Sequence, residues 1–261
     1  MEYNDIKKAY GREDLKKNFR NGSIPSETHF SSLIDSMINK QDDGFSKDEE
    51  NGFIVKTTGA SSRLLSLYKN INDLSPFFTF EKDEKENTSL KLNPEGNTEV
   101  DSADEKSFFL GINGNMGIGT RPEPHNKLEV NGFMASKGRI GTYASGQVPA
   151  DGQWHTIIEG LDYCNAFEII ARTGKKNSGR FAILHAHALS AYGNSHSRIR
   201  RTSAHYGFFW NKIKLRWRGT THNYYLQIKT GSNYGSNVDI FYKITQLWND
   251  EVFLPDTDFY Y

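Results

Sequence analysis

Imidazole is the side chain that ligates metals and moves protons near neutral pH, so the histidines are where chemistry could start. His185 and His187 stand one residue apart in the run Phe181-Ala182-Ile183-Leu184-His185-Ala186-His187-Ala188-Leu189. Side chains alternate along an extended chain, so both rings leave one face of a strand, as a zinc pair would. Phe181, Ile183 and Leu189 share that face, and no acid or cysteine is near in sequence to complete a ligand set. The pattern therefore favours buried, hydrogen-bonded histidines, or an axial cluster where several chains meet, over a metal site, and no cofactor is expected. A second concentration of chemistry is cationic. Lys212, Lys214, Arg216 and Arg218 alternate with Ile213, Leu215 and Trp217. That period predicts a strand with its apolar residues buried and four cations on the opposite face. Like charges aligned on one face repel, so something must compensate them. Acids on neighbouring strands would do so, as would an acidic surface of another subunit or an anionic cell-surface glycan. Tyr225, on the outer face of the next strand, joins the four cations as a contact candidate.

Nothing else has the spacing that catalysis requires. No G-x-S-x-G elbow is present, and the single cysteine, Cys164, has no motif around it. Gly117-Ile118-Gly119 fails the dinucleotide fingerprint, because Pro122 stands where the third glycine belongs. There is no phosphate loop, and distant carboxylates cannot be paired from sequence. The chain is expected to be non-enzymatic, and a polysaccharide-degrading spike has no residue argument in its favour. Lysine plus arginine and aspartate plus glutamate both number 32, so the net charge is zero, which speaks against nucleic acid as a partner. The charge is unevenly spread. Residues 1–105 hold 14 cations against 21 acids, and residues 106–261 hold 18 against 11. Such asymmetry fits domains or subunits that meet head to tail, a basic end with an anionic partner, or two unrelated solvated surfaces.

The elements that must position these groups are mostly strands. Two helices are expected first. Leu15 and Phe19 are spaced for a short one within residues 1–22. Ser26 then offers an N-cap, and Phe30, Leu33, Ile34, Met37 and Ile38 follow the helical period until Asp42-Asp43-Gly44. A helix that short needs a partner for its apolar face, either the first helix or copies of itself. Strands are predicted around Phe53–Val55, Leu64–Tyr68, Phe77–Phe80 and Leu90–Leu92, with a charged tip at Glu81–Asn87 and a turn at Asn93–Gly96. All four tryptophans lie beyond residue 138. There, eight strands are predicted at 139–143, 154–159, 166–173, 180–192, 198–206, 212–218, 223–230 and 237–248. An antiparallel, jelly-roll-like sandwich is the natural solution.

Between the halves runs Phe108–Gly132. Phe109–Ile112 is apolar, Asn113-Gly114 favours a tight turn, and Pro122 and Pro124 mark a crossover. Gly117, Gly119 and Gly132 would let another backbone come close. Lys127–Val130 predicts a strand with Leu128 and Val130 on one face. On these residues alone, an ordinary hairpin of a monomeric β domain and a connector between chains are both open.

The stretch GNMGIGTRPEPHNKLEVNGFMASKG resembles the GxVGIGTxxPxxKLxVxG segment of phage tail fibres, bacterial surface adhesins and fibres of contractile injection systems. Gly117, Ile118, Gly119, Thr120, Leu128, Val130 and Gly132 fall on that pattern, and Glu123-Pro124-His125 departs from it as an insertion. The match covers about a tenth of the chain. GSIPSETHFSSLIDSMINKQDDGF and GRIGTYASGQVPADGQWHTI, on either side, also resemble bacterial proteins of this kind. The self-cleaving chaperone domain of many tail fibres is not seen. In such proteins the segment sits in a trimeric β-rich shaft just ahead of a terminal domain.

The resemblance implies a mainly β homo-oligomer, a trimer, in three parts. Residues 1–44 would be a helical attachment segment whose Phe30, Leu33, Ile34, Met37 and Ile38 contact sister chains. Residues 45–137 would be a β-rich shaft, and 138–261 a β-sandwich head. The function implied is that of a fibre-like or baseplate-associated structural component, with other tail or baseplate proteins as partners. A carbohydrate-binding adhesin is the alternative. The N-terminus has no apolar signal region and no stretch is long enough to span a membrane. Assembly in the bacterial cytoplasm and action on a phage-like or released particle are therefore expected.

Overall fold

A computed structural model describes residues 11–39, 42–57, 60–70, 73–83, 85, 89–94 and 104–254. The fold is mainly β with few helices. The chain divides into two compact units, Met1–Met134 and Ala135–Tyr261.

The front unit opens with α1 (Arg12–Asn18) and α2 (Glu27–Asp35). Of the two partners open to α2, the first helix is in contact: Phe19 meets Phe30 edge to face, with ring centroids 5.4 Å apart. At the start of α2 the His29 ring accepts from the Ser26 N–H (3.2 Å). The helix ends sooner than the apolar period suggests. Ser36 turns its hydroxyl onto the Leu33 carbonyl (2.7 Å), a local bond that competes with another helical turn, and Met37 and Ile38 lie beyond the helix. A hairpin follows, β1 (Phe45–Asp48) with β2 (Gly52–Val55); β1 has no counterpart in the predicted strands. Next comes a six-stranded sheet in chain order: β3 (Arg63–Leu67), β4 (Phe78–Lys82), β5 (Leu90–Pro94), β6 (Phe108–Leu110), β7 (Met116–Ile118) and β8 (Leu128–Val130). Every pair is antiparallel except β7–β8, which is parallel. The prolines sit in the crossover that a parallel pair needs. The predicted tip at Glu81–Asn87 and turn at Asn93–Gly96 lie partly outside the described residues. Lys82 and Pro94 belong to strands.

The back unit is a sandwich. Five strands run in the order β13-β12-β11-β16-β9 and three in the order β10-β15-β14. These are β9 (Ala144–Pro149), β10 (His155–Leu161), β11 (Cys164–Gly174), β12 (Phe181–Ala191), β13 (Arg198–Tyr206), β14 (Ile213–Gly219), β15 (Tyr224–Thr230) and β16 (Asp239–Asn249), with a final turn of helix, α3 (Asp250–Phe253). Phe167, Ile169, Leu184, Ile240 and Ile244 of the larger sheet meet Ile213, Leu215, Leu226 and Ile228 of the smaller in one core. Trp217, expected to be buried, is only partly so, at the margin of that core. Seven of the eight strands fall where alternation predicts them. The first begins at Ala144, not near residue 139. Gly146 and Pro149 disguise it, and as a sheet edge it tolerates both.

The expected burial of His185 and His187 is overturned. Register pairs Phe167 with Ala188, Ile169 with Ala186 and Ala171 with Leu184, so the even-numbered residues of β12 face the core. Ala182, Ala186 and Ala188 are small enough to let the sheets close, and the larger Phe181, Ile183 and Leu189 turn outward with both histidines.

Candidate functional site

The outer face of the three-stranded sheet carries the cations. Lys214 and Arg218 are exposed. Arg216 is half-buried because its guanidinium lies 4.2 Å from the centre of the Trp154 ring. Lys229 of β15 reaches the same ring at 4.8 Å. Arg216 Nε donates to Gln227 Oε1 (2.9 Å), and Gln227 Nε2 donates to Thr156 Oγ1 (3.2 Å). Strand register sets Lys214 opposite Lys229 and Arg218 opposite Tyr225. The acids that could neutralise this face from neighbouring strands do not do so. Among the described residues of the back unit, the ion pairs of lysine and arginine reduce to Arg139 with Glu168, on the other sheet. Trp154 supplies the compensation through its ring face, which attracts cations electrostatically. Trp154, Gln227 and Lys229 were not singled out by the spacing of 212–218, because cross-strand neighbours are invisible until the register is known.

The outer face of the five-stranded sheet brings the histidine pair beside an acid. Glu168 of β11 lies directly across from His187. Its Oε1 is 3.0 Å from His185 Nε2 and 4.0 Å from His187 Nε2. The two rings stand edge to face, centroids 5.1 Å apart. Arg139 donates to the other carboxylate oxygen, Oε2. The side chain of Glu168 is 14% exposed, and those of His185 and His187 are 45% and 50% exposed. These three are the described residues whose metal-ligating atoms lie within 4.8 Å of one another. The acid that sequence distance seemed to deny the histidines is supplied by the adjacent strand. Around them Ile170, Ile183, Leu189, Phe241 and Trp248 are exposed.

Cys164 is half-buried at the start of β11. Burial pushes its thiol above the usual range, and the neighbouring Asp250 carboxylate pushes it further.

In the front unit the GIGT segment is tied by its own polar residues. Lys127 Nζ donates to the Asn113 carbonyl (2.8 Å) and to Asn115 Oδ1 (2.9 Å). Asn115 Nδ2 donates to the Pro124 carbonyl (3.0 Å). Glu129 Oε2 accepts from the Glu123 N–H (2.8 Å) and from Asn126 Nδ2 (2.9 Å). The insertion Glu123-Pro124-His125 is thus held at Glu123 by Glu129 of β8 and at Pro124 by Asn115, just ahead of β7. A Cβ on Gly117 would lie 2.0 Å from the Thr120 carbonyl oxygen, and one on Gly119, which has φ +71°, 2.8 Å from that of Glu105. The close approach expected of these two glycines is intramolecular. Gly132 has open space around it, so its expected close approach is absent; its φ of +154° is what suits glycine. Ile118 and Thr120 are half-buried, Val130 is half-buried, and Leu128 is exposed. Within the segment Arg121 forms a network. Its Nε and Nη2 donate to both oxygens of buried Asp83 (2.6 and 2.7 Å), and its Nη1 donates to Asp104. Lys91 Nζ also donates to Asp104 Oδ1 (2.8 Å). Burial alone would raise the Asp104 carboxyl, but hydrogen bonds and charge from Lys91 and Arg121 outweigh it and hold the pKa at about 2. Arg121 and Lys91 also lie over the ring of buried Phe109, at 4.7 and 5.6 Å.

Of the helix candidates, Phe30, Ile34, Met37 and Ile38 are exposed, and Leu33 is half-buried. No helix of the described residues is long and apolar enough to cross a membrane. Comparison with protein-family models and with curated proteins finds no match to this chain.

Proposed function

We propose that this chain is a non-enzymatic structural component, fibre-like or baseplate-associated, of a phage tail or an extracellular contractile injection system. Copies associate through the outer face of the five-stranded sheet and through α2, most simply as a trimer. One observation carries the association. Alanines fill the inner face of β12 while Phe181, Ile183 and Leu189 point outward, continued by Ile170 on β11 and Phe241 and Trp248 on β16. These apolar residues share the face with Glu168, Arg172, His185, His187 and Lys243, a mixed apolar and polar surface of the kind that association buries. The particle context rests on the resemblance of the GIGT segment. Light scattering on the purified full chain tests the association: about three chains per particle is the expected mass, and a clean monomer at micromolar concentration removes this reading. Immunogold labelling of tail-like particles from the producing cells tests the context, and particles that carry no label would count against it.

A second reading, a carbohydrate-binding adhesin, is favoured by the unneutralised cations around Trp154. An aromatic ring edged by cations suits an acidic sugar. Binding of the full chain to an acidic-glycan array, lost at high salt, would support it; a blank array would leave the structural role alone.

A further inference from the structure

We propose that Glu168, His185 and His187 form a site for one divalent transition-metal ion of the zinc class on the outer face of the five-stranded sheet. The geometry carries this. Bonds of 2.0–2.1 Å at tetrahedral angles put ligand atoms roughly 3.3–3.4 Å apart. The carboxylate oxygen stands 3.0 Å from one imidazole nitrogen and 4.0 Å from the other, and all three ligand atoms fall within 4.8 Å. Small rotations about side-chain torsions, without movement of the strands, bring the three onto one ion.

A purely hydrogen-bonded cluster explains less. Oε1 is within bonding distance of His185, but His187 at 4.0 Å is beyond it, so the second ring converges on an oxygen it does not reach. The other carboxylate oxygen is already held by Arg139, which fixes the carboxylate and leaves Oε1 as the ligating atom. An outer partner of this kind is what orients ligands at metal centres. Ligand type sets the choice of ion: two imidazoles and one carboxylate suit zinc, cobalt, nickel or copper and not magnesium or calcium. Arg200 stands opposite His187 in register and adds positive charge nearby, which lowers affinity for a cation. Three protein ligands leave the remaining coordination positions to water or an anionic group. On binding, the ion takes the place of the His185–Glu168 hydrogen bond, and Nε2 and Oε1 become ligand atoms.

The test is calorimetric titration of zinc chloride into chelator-treated full-length protein. One ion per chain is expected, and cobalt should give the visible absorption of a low-coordinate site. His187→Ala and Glu168→Gln should each weaken zinc binding by at least about tenfold, the range for loss of supporting or ligating groups. Both side chains lie on an outer face, and an unchanged thermal melt would show that the variants fold. Magnesium should not compete. No saturable zinc binding overturns the proposal. So does equal binding by the two variants, which would move the ion to a pair such as His155 with Asp151 or His222 with Asp162.

Discussion

Arg121→Ala is the perturbation whose outcome the structure determines most closely. The guanidinium makes a bidentate bond to Asp83, a carboxylate almost wholly removed from solvent, and a further bond to Asp104. Removing one partner of a buried pair leaves an uncompensated charge and costs roughly 3–5 kcal/mol. A second figure follows from the depressed Asp104 carboxyl. Asp104 falls from 3.8 to about 2. At about 1.36 kcal/mol per pKa unit that is at most roughly 2.4 kcal/mol, and less because Asp104 keeps 27% exposure and solvent screens it. Lys91 supplies part of that shift, so the larger share of the loss must come from Asp83. The sign is fixed by the direction of the shifts. Both carboxyls are held below their ordinary value, so their contribution is complete above the unfolded value of 3.8 and is lost as pH falls toward 2. Wild type and variant should thus differ most near neutrality and converge as pH falls toward 2. Amide hydrogen exchange on β4–β7 reads the front unit, whereas tryptophan fluorescence reads only the back unit, where all four tryptophans lie. The first should lose about 3–5 kcal/mol of protection and the second should keep its transition. Arg121→Met combined with Asp83→Leu should recover part of the loss, because removing both charges removes the uncompensated one. A loss below about 1 kcal/mol, in the range of exposed pairs, would refute the argument, as would a difference that fails to shrink in acid.

Three further outcomes follow from the same reasoning. Trp217→Ala should destabilise the back unit by about 3 kcal/mol, the low end for large truncations, because the ring is only partly buried and packs on Phe167 and Tyr224 at 6.4 and 5.5 Å; denaturant unfolding measures it. Lys214→Glu with Arg216→Glu should change the melting free energy by no more than about 1 kcal/mol, since the faces are outward and Arg216 loses only its contacts with Trp154 and Gln227, while abolishing binding of any anionic partner; a variant that unfolds would place these charges within the fold's own balance. Gly117→Ala should cost about 1–3 kcal/mol in the front unit, because its Cβ would meet a backbone oxygen at 2.0 Å; a neutral result would mean the 120–122 turn yields freely.

What could be read from the chain, and what could not, divides along the line between local and cross-strand information. The alternation of Ile213, Leu215 and Trp217 with Lys214, Arg216 and Arg218 predicts β14 and its faces, because a strand's pleat is a local property, although Lys212 falls just ahead of the strand and is half-buried. The same holds for Tyr224, Leu226 and Ile228, and for the turn and crossover of the GIGT segment, where asparagine, glycine and proline act through their own backbones. β12 is the instructive failure. Its two faces are Phe181-Ile183-His185-His187-Leu189 and Ala182-Leu184-Ala186-Ala188, and apolar bulk alone selects the first as the core. The sandwich selects the second, because facing β10, β14 and β15 already supply large residues such as Ile158, Leu215, Tyr224, Leu226 and Ile228, and space for the sheets to close is given by alanine. That inversion is what places an acid 17 residues away against His185, and it turns a bulky apolar row toward solvent. Charge balance was missed for the same reason. Asp83 and Arg121, 38 residues apart, meet only through sheet order, and Trp154, just ahead of β10, meets Lys229 and Arg216 only through the pairing of β10 and β14 with β15. The features with most to say about function are therefore products of pairing, and a strand's outward residues carry meaning only beside their neighbours.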